Sequence, residues 1–230
     1  MPLEHVLGWA EFCGLRIAVD PGVFVPRRRT EFLVGQAAAG AGRAGRLVVV
    51  DLCCGSGALG VALAAALGGA DLHAADVDPA AVACARRNVV PAGGQVHAGD
   101  LFAALPADLR GRVDILAVNV PYVPTGEIAL LPAEARDHEP RVALDGGPDG
   151  LDVLRRVAGE AAAWLAPGGR LLTETSERQA RPATEAFALG GLAARVVSSA
   201  DQNATVIIGT KPPGCVRRDE PAGRPSFSAT

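Results

Sequence analysis

Two short runs hold the residues whose types and spacing could do chemistry. The first is Asp51-Leu52-Cys53-Cys54-Gly55-Ser56-Gly57-Ala58-Leu59-Gly60. Gly55 to Gly60 fits G-x-G-x-x-G, and Asp76 follows about 20 residues on, the spacing of a dinucleotide fingerprint. Glycines let a ligand approach the backbone without meeting a Cβ, and an acidic residue ending the next strand can accept both hydroxyls of a ribose. These features suit NAD and S-adenosylmethionine equally. A tight strand-to-helix turn that binds nothing is the bland alternative. Asp51 tilts the balance, because a carboxylate just before the glycines can hold a methionine ammonium, directly or through water. It would lie poorly beside a pyrophosphate.

The second run is Asn119-Val120-Pro121-Tyr122. An NH₂ on an amide or an aromatic ring is a poor nucleophile, because its lone pair is conjugated. The Asn119 side-chain oxygen and the Val120 carbonyl can accept its two N–H bonds, which aims the nitrogen and stabilises positive charge as a bond forms. Pro121 stiffens the loop, and the Tyr122 ring can pack against the planar group. No ionised base is required, since the alkylated nitrogen sheds its proton readily. A strand-ending turn with a buried tyrosine is the alternative, and the position opposite the glycine loop argues against it.

Both runs need strands to carry them. RLVVVDL (46–52) reads as a buried strand, followed by the helix-forming run GSGALGVALAAALGG and a second strand, ADLHAADV. PAAVACARRN (79–88) predicts a helix with Pro79 at its start and Arg86 and Arg87 at its end. QVHAGD and RVDILAVNV (112–120) are the third and fourth strands; LDVLRRVAGEAAAWLA is a helix that APGG breaks before strand RLLTETS. Alternation of this kind predicts a parallel, doubly wound α/β sheet. AARVVSS and TVIIGTK, joined by Ala200-Asp201-Gln202-Asn203, predict a terminal antiparallel hairpin, and WAEFCG–LRIAVD an opening hairpin about Gly14. The expected division is a hairpin segment (1–22), a main domain (23–211) and a disordered tail (212–230).

Composition excludes several classes. With 49% hydrophobic and 20% charged residues the chain is globular. Its net charge of −3 offers no basic surface for generic phosphate binding. The Gly- and Ala-rich stretch 55–70 is shorter than the roughly 20 apolar residues of a membrane span, and Glu4 stands where a signal peptide would be positive. Five cysteines without paired metal spacing point to a reduced, cytoplasmic protein with no metal. His5, His73, His97 and His138 share no ligand spacing and read as solitary structural residues.

From Pro2 to Lys211 the chain resembles the protein-(glutamine-N5) methyltransferases that modify peptide chain release factors, the HemK/PrmC family. PLEHVLGWAEFCGLRIAVDPGVFVPRRRTEFLV resembles the family's hairpin and "P-R-P-x-T-E" segment. DLCCGSGALG resembles its glycine loop, AADVDPAAVACARRN its second strand and helix, and AGDLFAAL its adenine-side segment. NVPYVP resembles the N-P-P-Y signature, and EPRVALDGGPDGLDVLRR a stretch more selective than the tetrapeptide. The resemblance implies a class I S-adenosylmethionine-dependent methyltransferase fold with a seven-stranded, mostly parallel sheet. It assigns Cys53, Cys54, Gly55, Ser56 and Gly57 to the methionine part of the cofactor, Asp76 to the ribose, and Asp100 and Leu101 to the adenine. Asn119, Val120, Pro121 and Tyr122 would hold the glutamine amide, Phe24 would line the pocket for its methylenes, and S-adenosylhomocysteine would be the product. Residues 123–150, with little predicted structure, would cover the substrate.

The chain departs from that pattern at several positions. Cys53 replaces a usual glycine, which predicts that the backbone there avoids positive φ. Val120 replaces the first proline, and Arg28 and Arg29 replace a proline and an acidic residue. The run Arg27-Arg28-Arg29 reads as a solvated basic patch or as a contact for RNA or a partner's acids. The helical N-terminal domain usual in the family would lie ahead of Pro2. A protein substrate, such as a release factor, is the expected partner, with no membrane and with nucleic acid not expected as direct substrate. The rivals are methylation of adenine N6 or guanine N2, for which the arginine run speaks, and a cofactor-binding paralogue without activity, against which the retained Asn119, Pro121 and Tyr122 speak.

Overall fold

Val48, Val49 and Val50 are β-branched and apolar on both faces, so their strand belongs in the middle of a sheet covered on two sides. The computed structural model describes residues 1–40 and 45–213. In chain order the elements are α1 (Leu3–Leu7), β1 (Trp9–Phe12), β2 (Leu15–Ala18), α2 (Glu31–Ala39), β3 (Leu47–Leu52) and α3 (Ala58–Ala66). There follow β4 (Ala70–Asp76), α4 (Pro79–Val89), β5 (Gln95–Ala98), β6 (Val113–Val118) and α5 (Ala133–His138). The chain closes with α6 (Asp152–Trp164), β7 (Leu165–Thr175), α7 (Glu177–Leu189), β8 (Ala193–Ser199) and β9 (Ala204–Thr210).

The main sheet has the order β5-β4-β3-β6-β7-β9-β8. Its first five strands are parallel, and β9 runs antiparallel between β7 and β8. All six positions of β3 are buried. Leu47 and Val49 join a core with Leu33, Leu63 and Val89 from α2, α3 and α4. Val48, Val50 and Leu52 face the opposite core, with Leu154 and Val157 of α6 and Phe187 of α7. The small hairpin β1–β2 turns at Cys13 and Gly14, both at positive φ, as the strand twist demands of a two-residue turn. Its Phe12 and Ile17 enter the first of these cores.

Strand order reverses between β3 and β6, and ligands of open α/β sheets bind at such a switch point. Leu52 pairs with Val118, so the glycine loop and the tetrapeptide leave the sheet side by side.

Some elements differ from the expected ones. APGG does not precede β7 but belongs to it, because a register shift between Val113 and Ile115 absorbs the extra residues. Gly168 supplies positive φ there, and a Cβ at Gly169 would sit 2.5 Å from the Val113 carbonyl. Helices α1, α2 and α7 add to the predicted set. Residues 123–150 are more ordered than expected: 3₁₀ turns at Thr125–Leu130 and Arg141–Ala143 flank α5, and Val123 bridges Asp145. The expected tail at 212–230 lies outside the described residues, apart from Pro212 and Pro213.

Candidate active site

Asp51, near the end of β3, is 1% exposed, and its Oδ2 accepts the Gly60 N–H at 2.8 Å. Burial pushes its pKa up to about 8; the Gly60 bond opposes that shift and the Asp76 charge adds to it. A Cβ at Gly60 would stand 3.1 Å from the Asp51 side chain, so the helix start fits against the carboxylate only as glycine. Cys53 follows at φ +54, contrary to the expectation drawn from its replacing a glycine. The strand-to-helix turn imposes the left-handed conformation, and an unbranched side chain tolerates it at a cost of about 1–2 kcal/mol. Burial, reinforced by Asp76, Asp51 and Asp100, raises the Cys53 thiol far above its ordinary range and keeps it neutral.

At the end of β4, Asp76 accepts the Gly55 N–H through Oδ2 and the Asp78 N–H through Oδ1, both at 2.9 Å. Burial raises its pKa, against those bonds. Only Phe24, at 3.9 Å, would meet a Cβ on Gly55, whereas one on Gly57 would strike Val89 at 2.6 Å. Gly55 therefore fronts open space and Gly57 packs on α4. Asp100 pairs with Arg156 of α6 at 2.5 Å, beside Leu101 at φ +47.

Across from this loop, Asn119 follows β6 with its Oδ1 buried and without a hydrogen-bond partner. Val120 and Pro121 are buried and Tyr122 half-buried. The LDGGPDG stretch holds this loop from behind. Val123 N–H donates to Leu144 at 3.0 Å and Gly146 N–H to Val123 at 2.9 Å. Gln179 of α7 donates Nε2 to the carbonyls of Tyr122 (2.9 Å) and Asp149 (3.0 Å). A Cβ at Gly146 would lie 2.6 Å from the Pro121 carbonyl, and one at Gly150 would collide with that of Tyr122. The glycines are there so that the two backbones can touch.

The arginine run is not simply a solvated patch, because two of its three guanidiniums bond buried carboxylates while keeping part of their surface exposed. Arg27 donates to both oxygens of Glu139, at 2.6 and 2.7 Å, and its guanidinium lies 4.8 Å over the Phe24 ring. Arg29 donates Nε to Glu174 at 2.5 Å and a terminal nitrogen to the Tyr122 hydroxyl. Thr30 donates to the other Glu174 oxygen at 2.6 Å. Glu139 and Glu174 are both buried, and a buried carboxylate needs a counter-charge. Arg28 is exposed and takes no part in this network. Two of the four histidines are not solitary as expected: His73 and His97 stack, with Nδ1 and Nε2 3.0 Å apart, on β4 and β5. Burial lowers the pKa of each.

A cavity of about 630 Å³ joins the two loops. Every residue that the sequence reading places in the site borders it except Gly57. Arg27, Arg29 and Arg156 border it as well and were not in that reading. For the first two the basic run was the signal; for Arg156 there was none. Such a space, with carboxylates at one end and an unpaired amide oxygen at the other, can hold a polar cofactor and present an N–H donor to it.

The family model of the methyltransferase small domain matches residues 14–131. The release factor glutamine methyltransferase of Streptomyces coelicolor is 42% identical over 181 residues, which cover 77% of this chain and 64% of that protein. Its counterpart in Mycolicibacterium smegmatis is 41% identical over 192 residues, covering 83% and 67%. Among solved structures, the release factor-specific protein-(glutamine-N5) methyltransferase of Alicyclobacillus acidocaldarius superposes with a TM-score of 0.50 at 26% identity, over 82% of this chain and 95% of that one. The chain thus spans about two thirds of the length of the curated relatives it matches. The family model runs through both loops of the cavity, and the chain belongs to the methyltransferase small domain family, with the release factor glutamine methyltransferases as relatives.

Proposed function

We propose that this protein is an S-adenosylmethionine-dependent N-methyltransferase acting on the side-chain amide (N5) of a glutamine in a protein, with a peptide chain release factor as first candidate. The observation that carries the reading is the buried, partnerless Oδ1 of Asn119, on the cavity that the glycine loop also borders. An unsatisfied buried acceptor is costly, and an incoming N–H donor removes that cost.

The residues present fit the cofactor. Asp51 is a buried carboxyl for an ammonium, Asp76 an acceptor for ribose hydroxyls, Leu101 and Asp100 a wall for adenine, and the side of Gly55 is open to the ligand. When bound, S-adenosylmethionine supplies an electrophilic methyl group. Asn119 Oδ1 and the Val120 carbonyl accept the two amide hydrogens of the glutamine, which orients its nitrogen lone pair along one direction and favours charge growing on that nitrogen. Phe24 and Tyr122 flank the methylenes and the amide plane. Solvent takes the surplus proton, so no side chain need act as base.

Base methylation keeps less of the observation that favoured it, because two of the three arginines are engaged by buried carboxylates. Among the described residues no helix is long and apolar enough to cross a membrane, and the proposed partner places the work in the cytoplasm. The test is mass spectrometry of a release factor and of ribosomal RNA after incubation with isotopically labelled cofactor. Label on a glutamine of the protein supports the reading; label on RNA bases alone overturns it.

A further inference from the structure

Tyr122 is anchored at both ends. Its main-chain carbonyl accepts Gln179 Nε2 at 2.9 Å, and its hydroxyl meets a terminal nitrogen of Arg29. The same guanidinium reaches through Nε to Glu174, 2.5 Å away on β7. The second Glu174 oxygen is taken by Thr30 at 2.6 Å, so the carboxylate cannot turn without breaking a bond. Glu174 is buried on the central sheet, which makes it a fixed post, while Tyr122 belongs to a loop. Only a planar cation with separated donors can span the two.

We propose that Arg29 is a positioning residue: by tying the Tyr122 hydroxyl to Glu174 it fixes the ring that closes one side of the amide subsite. The inference rests on the function proposed above for the kind of group that enters, but the tie itself is independent of it. Asn119 and Val120 accept hydrogens only from an amide held in the correct plane. A ring free to swing would leave that plane undefined and lower the fraction of productive encounters.

The chain contains a single tyrosine, so the ultraviolet difference band of tyrosinate reports on Tyr122 alone. Burial and the Glu174 charge push its hydroxyl upward in pKa, and the Arg29 charge and hydrogen bond pull it down. Arg29→Met should therefore raise the ionisation midpoint, with Arg29→Lys falling between the two. An unchanged midpoint in Arg29→Met would overturn the tie. On release factor as substrate, Arg29→Met should lower kcat about tenfold, the usual scale for one lost charged hydrogen bond, with cofactor affinity unchanged. In a Tyr122→Phe background it should cause no further loss; an equal loss there would show that Arg29 does not act through the hydroxyl. Arg29→Met with Glu174→Gln removes both charges of the ion pair together, so that Glu174 is not left buried and unpaired, and should show the same kcat loss if the single variant does not fold. Wild-type protein that methylates no release factor would count against the proposed function, while the titration would still decide the tie.

Discussion

The two ends of the cavity solve opposite problems with the same kinds of residue. At the glycine-loop end the carboxylates already have protein partners: Asp51 accepts from Gly60, Asp76 from Gly55 and Asp78, and Asp100 pairs with Arg156. These bonds shape the loop before any ligand arrives. At the tetrapeptide end the main chain is fixed from outside by Gln179, Gly146 and Gly150, and one acceptor, Asn119 Oδ1, is left open. A carboxylate that also builds its loop serves binding and stability together. An amide oxygen with no protein partner serves only what comes in.

That contrast is broken most directly at its two centres. Asn119→Ala should lower turnover about 10²-fold or more, the scale of losing one preorganised polar group, with cofactor affinity and Tm nearly unchanged. Asp76→Ala should weaken cofactor binding by roughly 1.5–3 kcal/mol and also lower Tm without ligand, since Gly55 loses its acceptor. Calorimetric titration beside steady-state rates separates the two. An Asn119→Ala enzyme with normal turnover would remove the amide-holding role.

Gly150 tests whether the LDGGPDG stretch truly holds the tetrapeptide. It sits at φ +79, and a Cβ there would collide with the Tyr122 carbonyl. Gly150→Ala should destabilise by about 2–3 kcal/mol through left-handed strain and overpacking, read from the urea midpoint. It should also lower kcat more than cofactor affinity. A variant with wild-type stability and rate would show that the two backbones are not pressed together.

Legibility from sequence followed the range of the interactions. The apolar run of β3, the glycines after it and Asp76 lie within one βαβ unit, where local pattern dictates structure. The inward turn of the arginines depends on Glu139 and Glu174, which are 112 and 145 residues from their partners, and no local pattern encodes that. His73 and His97 meet only because β4 and β5 pair with Ala75 opposite His97, a register that the sequence leaves open. Helix α7 was hidden by Pro182 in its interior, although Ser176 capping Gln179 was a usable start signal. The Cys53 expectation failed because residue type expresses a preference, while the turn between β3 and α3 imposes a requirement.

Asp51 gives a pH dependence with a definite sign. Its folded pKa of about 8 stands above the ordinary 3.8, so between those values the folded state binds the extra proton. Its contribution to stability is full below the lower value and is lost as pH rises through the upper one. Without ligand, Tm should therefore fall across that window, and Asp51→Asn should remove this part of the slope. A ligand ammonium favours the ionised carboxylate, so cofactor affinity should rise as pH approaches about 8 in the wild type and stay flatter in Asp51→Asn. Affinity falling with pH would place the ammonium elsewhere.

The smallest effect belongs to Cys53, which like Leu101 holds a left-handed backbone against its residue type at the prebuilt end. Its left-handed conformation costs about 1–2 kcal/mol relative to glycine. Replacement by glycine relieves that strain but adds about 0.5–1 kcal/mol of unfolded-chain entropy. Cys53→Gly should therefore stabilise the protein by no more than about 1 kcal/mol. Cys53→Val puts a β-branched side chain in the same conformation, where its crowding is worst, and should lower both the denaturation midpoint and cofactor affinity. Chemical denaturation of the three proteins gives the order Gly, Cys, Val from most to least stable. If glycine proved the least stable, packing of the thiol against the loop would outweigh its strain, and the prebuilt end would depend on that side chain as well as on its carboxylates.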